Sequence, residues 1–148
     1  YSICNPNALA MASLIYTSFL DDVAKGNIDC DSNTFKAMLV TSTYSPNQTT
    51  HTKRSDITNE VTGTGYTTGG ATSAVTVTKI IASNLVSIQF DAVNWTSSTI
   101  TARGCVYYKS RGGASSADEL VAYCDFGSNI STSGGTFTVT ATTISLEL

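Results

Sequence analysis

His51 is the only histidine in the 148 residues, and it stands in a run of small polar side chains, Thr49-Thr50-His51-Thr52-Lys53-Arg54. An imidazole does nucleophilic or proton-transfer chemistry when it is held beside a serine, cysteine or carboxylate. Here no serine sits in a Gly-x-Ser-x-Gly elbow and no cysteine is near in sequence, so the pattern does not indicate a hydrolase. His51, Lys53 and Arg54 read instead as a small cationic contact patch or as a solvated loop. Asp29-Cys30-Asp31-Ser32-Asn33 places oxygen ligands at alternate positions, as a calcium loop does. Thr34 stands where the turn glycine belongs and Val40 where the bidentate glutamate belongs, so Asp31 and Asn33 are expected to be turn residues that bond local backbone. The stretch NEVTGTGYTTGG, Asn59 to Gly70, has the glycine density of a phosphate-binding loop. No lysine follows it and no helix-forming segment opens after it, so its glycines are expected to serve backbone turns.

The four cysteines, Cys4, Cys30, Cys105 and Cys124, show no Cys-x-x-Cys or paired Cys/His spacing, which argues against a zinc site. If the segments flanking residues 110–118 form a symmetric hairpin, Cys105 and Cys124 fall directly opposite each other and within disulfide reach. The other reading is buried thiols packing as small apolar groups. Trp95, in Asn94-Trp95-Thr96, could plug the core or offer an exposed platform to a sugar. Tyr107 and Tyr108 are strand neighbours pointing to opposite faces, so one ring is expected inside and the other, Tyr108, outside as an anchor for a partner. Asn47-Gln-Thr49, Asn94-Trp-Thr96 and Asn129-Ile-Ser131 match the glycosylation sequon, which has meaning only in a eukaryotic secretory chain. No catalytic, cofactor-binding or metal-ligating residue is assigned, and no cofactor is expected.

A β scaffold must position these side chains. Met11 to Lys25 carries Ala12, Ile15, Phe19 and Val23 at three- and four-residue spacing, with Leu20 beside them and Gly26 after, which predicts a short amphipathic helix. Thr34 to Ser42 alternates Phe35, Ala37 and Leu39 against Lys36, Met38 and Val40. Both faces are largely apolar, as in an interior strand. Thr43 to Arg54 has few apolar groups to pack and is expected to be a long exposed loop, followed by a brief helical turn from Ser55. Further strands are expected over 72–81, 85–91, 98–110, 119–126 and 136–148, where Val, Thr, Tyr and Ile alternate with turn-sized spacers. The expected class is mainly β: an antiparallel β-sandwich or jelly-roll-like barrel with one short N-terminal helix. It forms a single domain over 11–148, preceded by an N-terminal arm or extension at 1–10.

Charged residues make up only 13% of the chain, against ~25% in typical globular proteins, and 41% of it is hydrophobic, the reverse of a disordered composition. A formal net charge of -3 gives no basic surface for nucleic acid. No apolar run approaches the ~20 residues of a membrane span. Met11-Ala-Ser-Leu looks like a translation start, and Asp21 and Asp22 follow where a secretion signal would end.

From Met11 onward the chain resembles small structural proteins of tailed-bacteriophage virions, of the head decoration or cement type. The resemblance is carried by the helix ending KGNID, the strand TFKAMLVTS, the element RSDITNEVTGTGYTTGG, the strand TITARGCVYYK, and ELVAYCDFGS before a Gly-rich turn. Cys105 and Cys124 depart from the pattern, in strand positions where an aliphatic residue would serve, as do the ten residues before Met11. The resemblance implies a non-enzymatic protein on the capsid exterior, assembled in the host bacterial cytoplasm. Its implied partners are the major capsid protein and further copies of itself, as homodimers or homotrimers, with no nucleic acid and no membrane. In that compartment the thiols are expected to be reduced. Candidate contact residues are then Tyr1 and Ile3 in the arm, Tyr44, Pro46, His51, Lys53 and Arg54 in the loop, and Trp95 and Tyr108. The alternative is a tail or head fibre component that binds a host surface glycan through Trp95 and Tyr108. A third reading, from outside viruses, is a secreted adhesion module that uses the sequons and disulfides.

Overall fold

The computed structural model describes residues 13–147. They form β1 (Leu14–Ile15), α1 (Thr17–Ala24), β2 (Phe35–Val40), β3 (Ala71–Ser73), β4 (Val75–Ile80), β5 (Leu85–Phe90), β6 (Val93–Lys109), β7 (Leu120–Val139) and β8 (Thr142–Glu147). All strand pairings are antiparallel and make two sheets, a five-stranded one in the order β1-β7-β6-β2-β3 and a three-stranded one in the order β4-β5-β8. The sheets are not closed on themselves, so the fold is a sandwich rather than a barrel.

β2 shows why the five-stranded sheet lies inside. Phe35, Ala37 and Leu39 face the main core with Cys105, Tyr107, Val121 and Cys124. Met38 and Val40 face a second core on the other side with Val106, Tyr108, Leu120 and Tyr123. A sheet that is apolar on both faces must be covered on both. The three-stranded sheet covers the first face through Ile88, Phe90 and Ile144. The second face is covered by Tyr16 and by Tyr44 and Ile57 of the excursion between β2 and β3.

That excursion differs from the long exposed loop that composition suggests. Tyr44 anchors it, and its backbone is tied down: the Thr17 amide donates to the Gln48 carbonyl (3.0 Å), Arg54 N–H to Asp118 O (2.9 Å) and Leu120 N–H to Thr52 O (3.1 Å). The expected helical turn is a 3-10 turn at Arg54–Asp56. The glycines that follow serve the backbone, as expected. Gly70 has φ +74° and lies so close to β2 that an added Cβ would stand 1.8 Å from the Ala37 carbonyl oxygen.

The helix is shorter than the apolar spacing predicts. Leu14 and Ile15 leave it to pair with Tyr123 and Ala122, supplying backbone partners to part of the β7 edge that would otherwise go unpaired. Phe19 and Asp22 form its buried side, and Gly26 ends it at φ +75°. The strand expected over 136–148 is two strands in different sheets: β7 runs to Val139, and the chain crosses at Thr140 and Ala141 into β8. Similar crossings at Ala74 and at Asp91 and Ala92 join the sheets, and all three open on one row of register partners, Val75, Phe90 and Thr142. The Ser73 hydroxyl donates to the Asp91 carbonyl (2.8 Å) and the Asp91 amide to the Ala74 carbonyl (2.9 Å), pinning this corner.

Candidate interaction surface

Most ionisable residues singled out in the sequence are engaged inside the chain. Lys53 Nζ lies 3.1 Å from Glu119 Oε1, Arg111 reaches the same carboxylate at 2.8 Å, and Arg54 Nε lies 2.7 Å from Asp118 Oδ2. Both carboxylates are almost wholly buried, while their cations reach the surface from the excursion and from the β6–β7 turn. Burial alone would raise the Glu119 carboxyl. Hydrogen bonds from Arg111 and Lys53 outweigh it and hold the group below its ordinary value. The cationic patch expected at His51, Lys53 and Arg54 is therefore a clasp between two loops and not a free surface. His51 Nδ1 accepts a hydrogen bond from the Asn47 amide (3.3 Å), so it also accepts from the Tyr44 hydroxyl (2.9 Å), which lies 2.7 Å from the Tyr16 hydroxyl. Tyr44 is 5% exposed, and its hydroxyl is pushed up to about 12 by burial. Only Pro46 of this group keeps a half-exposed side chain outside these networks.

The aromatic platform is also inside. Trp95 is 5% exposed, with its ring against Phe137 (6.2 Å) and Tyr66 (5.8 Å). Tyr108 is 1% exposed and donates to the Gly69 carbonyl (2.6 Å), with the Arg54 guanidinium 5.2 Å above its ring. Tyr107 and Tyr108 do point to opposite faces, but both faces are covered, so neither ring is the exposed anchor expected from alternation. Tyr1 and Ile3 lie outside the described residues.

The hairpin register places Cys105 opposite Cys124, but the hairpin is not the symmetric one expected: Tyr108 faces Leu120, and a bulge at Val121 shifts the register by one to bring the two cysteines together. They are not bonded to each other: Cys105 carries a free thiol, as does Cys30, while Cys124 is disulfide-bonded. The expectation of reduced thiols thus fails at Cys124. The 29–33 segment is a turn: the Asp29 side chain accepts from Asp31 N–H and from the Ser32 hydroxyl, and Asn33 Oδ1 accepts from Asp29 N–H. Among the described residues no group of three or more His, Cys, Asp or Glu is placed to hold a metal. No helix among them is long and apolar enough to cross a membrane.

The feature that sequence reasoning missed lies at the end of the sandwich away from the corner. The inner face of the three-stranded sheet outruns its cover there, leaving an open cleft of about 980 Å³ between that sheet and the end of α1. Val77, Val86, Ile88 and Leu146 line one side, and Val23, Ile28 and Cys30 the other. The large exposed aliphatic side chains of the described residues are Leu20, Val23, Val77, Ile80 and Ile81, and all but Leu20 line this cleft. Leu20 is one turn before Val23 on α1. The signal was in the sequence: Ile80-Ile81 opens the β4–β5 turn, where polar residues are usual, and Asn84 closes it at φ 50°.

Comparison with protein-family models, with curated proteins and with solved structures finds no match to this chain.

Proposed function

We propose that the chain is a non-enzymatic structural subunit of a bacteriophage virion, a decoration or cement protein on the capsid exterior that bridges and stabilises neighbouring major capsid subunits. The observation that carries this reading is the gathering of exposed aliphatic side chains at one end of a firmly tied sandwich. Exposed apolar surface that is contiguous rather than scattered marks a contact site. The sequence resemblance supplies the virion setting. A low-charge surface rich in Ser and Thr suits the role, because few charges need be desolvated when flat faces meet. Cement proteins act by multivalency: modest contacts add up when the shell fixes their partners at high effective concentration. The glycan-binding alternative loses its platform with Trp95 and Tyr108 inside the core.

Shells assembled without this protein test the reading. Purified protein added to them should co-sediment at a copy number comparable to that of the major shell protein and should raise the temperature at which the shells break open. A handful of copies at one vertex, or no binding, would overturn it.

A further inference from the structure

We infer that Cys105 is placed as an exchange partner for Cys124, and that opening of the β6–β7 contact lets it take over the disulfide that Cys124 makes with another sulfur. The cross-link of this fold is then a movable one, with a second position already built into the core.

Cys105 on β6 and Cys124 on β7 are register partners, and both are fully buried in the main core. Directly opposed residues of an antiparallel pair have Cα atoms about 4.5 or 5.5 Å apart, inside the range that a disulfide spans. The bulge at Val121 creates this opposition. Continued without it from the Tyr108–Leu120 pair, the register would set Cys105 against Tyr123 and turn Cys124 to the other face of the sheet.

The bonding state gives the pair its chemistry. Cys105 and Cys30 carry free thiols while Cys124 is disulfide-bonded, so the sulfur joined to Cys124 lies outside the described residues. A free thiol thus faces a disulfide sulfur across one strand spacing. In the exchange the Cys105 thiolate attacks Cys124 Sγ. The Cys105–Cys124 bond forms as the bond from Cys124 to its present partner breaks, and the electron pair leaves with that partner, which becomes a thiolate and takes up a proton. Nothing is oxidised or reduced overall, so no external reagent is needed. The cross-link passes from β7 and its present partner to β6 and β7. Burial holds the exchange back: it pushes the Cys105 thiol up, against hydrogen bonds from Tyr107 and the Met38 backbone that favour the thiolate. The other ionisable side chains that feel its charge are the phenols of Tyr16, Tyr66 and Tyr123. Exchange therefore waits until the contact between β6 and β7 opens.

Non-reducing peptide mapping of the full chain, purified without reductant, reads the exchange. Samples are quenched in acid and alkylated in denaturant at mildly acidic pH, where exchange is slow. Trypsin cleaves after Lys109 and Arg111, so Cys105 and Cys124 leave on separate peptides unless they are bonded to each other. Before incubation, Cys30 and Cys105 should be the labelled cysteines. After incubation at about pH 9 in urea below the unfolding midpoint, a linked Cys105–Cys124 peptide should appear, Cys105 should lose its label, and one new thiol should gain it mole for mole. The reaction should run roughly tenfold slower or more at about pH 7, because the thiolate is the attacking species. Cys105→Ser should release no new thiol, and if that variant does not fold the wild-type map carries the test. A Cys124 that keeps its first partner throughout would overturn the inference, as would one found before incubation as a free thiol or bonded only to Cys105. Pairing of Cys124 with Cys30 as readily as with Cys105 would also overturn it, since that is scrambling, and so would a folded Cys105→Ser protein that releases the same thiol.

Discussion

Replacing Tyr108 by Phe removes one oxygen from the second core and leaves the Gly69 carbonyl, which it bonds at 2.6 Å, without its donor. Gly69 is buried, and its amide is held by Glu60 Oε1, which also accepts from the Tyr66 hydroxyl. The loop therefore has little freedom to turn that carbonyl to water. A lost hydrogen bond together with a stranded acceptor costs about 2 kcal/mol, which for a domain of this size is roughly 4–8 °C in Tm. Tyr108→Ala also empties the space beneath Arg54 and should cost about 3–5 kcal/mol. Urea unfolding followed by the fluorescence of Trp95, the single tryptophan, measures both, since its buried indole reports loss of the core. A Phe variant within ~0.3 kcal/mol of wild type and an Ala variant costing less than ~1 kcal/mol, the range of surface substitutions, would refute the placement of this ring in a second core.

Gly70→Ala should prevent folding or destabilise by more than about 4 kcal/mol, because the added methyl overlaps the Ala37 carbonyl on a backbone already at positive φ; soluble yield and thermal melting check it. Acid should loosen the fold. Glu119 and Asp56 are held below their ordinary values, Asp56 chiefly by the Thr52 amide, so their stabilisation is present above the ordinary carboxylate range and is lost as pH falls through the folded values. Tm should hold steady from neutral pH down to that range and then drop, and Glu119→Gln should flatten the drop. Alkylation of the native protein should be slow at Cys30, whose thiol burial pushes up to about 11, and should reach Cys105 only on unfolding. Peptide mapping after denaturation without reductant should find both labelled and Cys124 unlabelled.

Alternation made the strand cores legible, because burial on two faces writes an apolar run such as FKAMLV; turn symmetry named the opposition of Cys105 to Cys124 but not the bulge at Val121 that produces it. Alternation also misled at Tyr108, since a period of two tells which residues share a face but not whether another layer covers that face. The cover comes from residues 43–61, which look too polar to pack. Three large side chains, Tyr44, Ile57 and Val61, anchor it, while backbone hydrogen bonds and the carboxylates of Asp118 and Glu119 do the rest. The crossings into the second sheet are invisible to strand propensity, which does not distinguish a strand that continues from one that bends at Ala74 or Ala141. The apolar end was missed for the opposite reason: Ile80 and Ile81 read as the close of a strand, and the sheet packing shows that both are left exposed among the described residues.

The pairing of Leu14 and Ile15 with Tyr123 and Ala122 sets an order of events during synthesis. The earliest described strand has no partner until most of the polypeptide has left the ribosome, and β2 likewise waits for β6. Neither sheet is made of neighbours in sequence alone, so stable structure in the nascent chain must come late and nearly all at once. A stalled intermediate ending before residue 120 lacks β7 and so would leave β1 and the β7-facing edge of β6 bare, and quality-control chaperones should recognise it as a client.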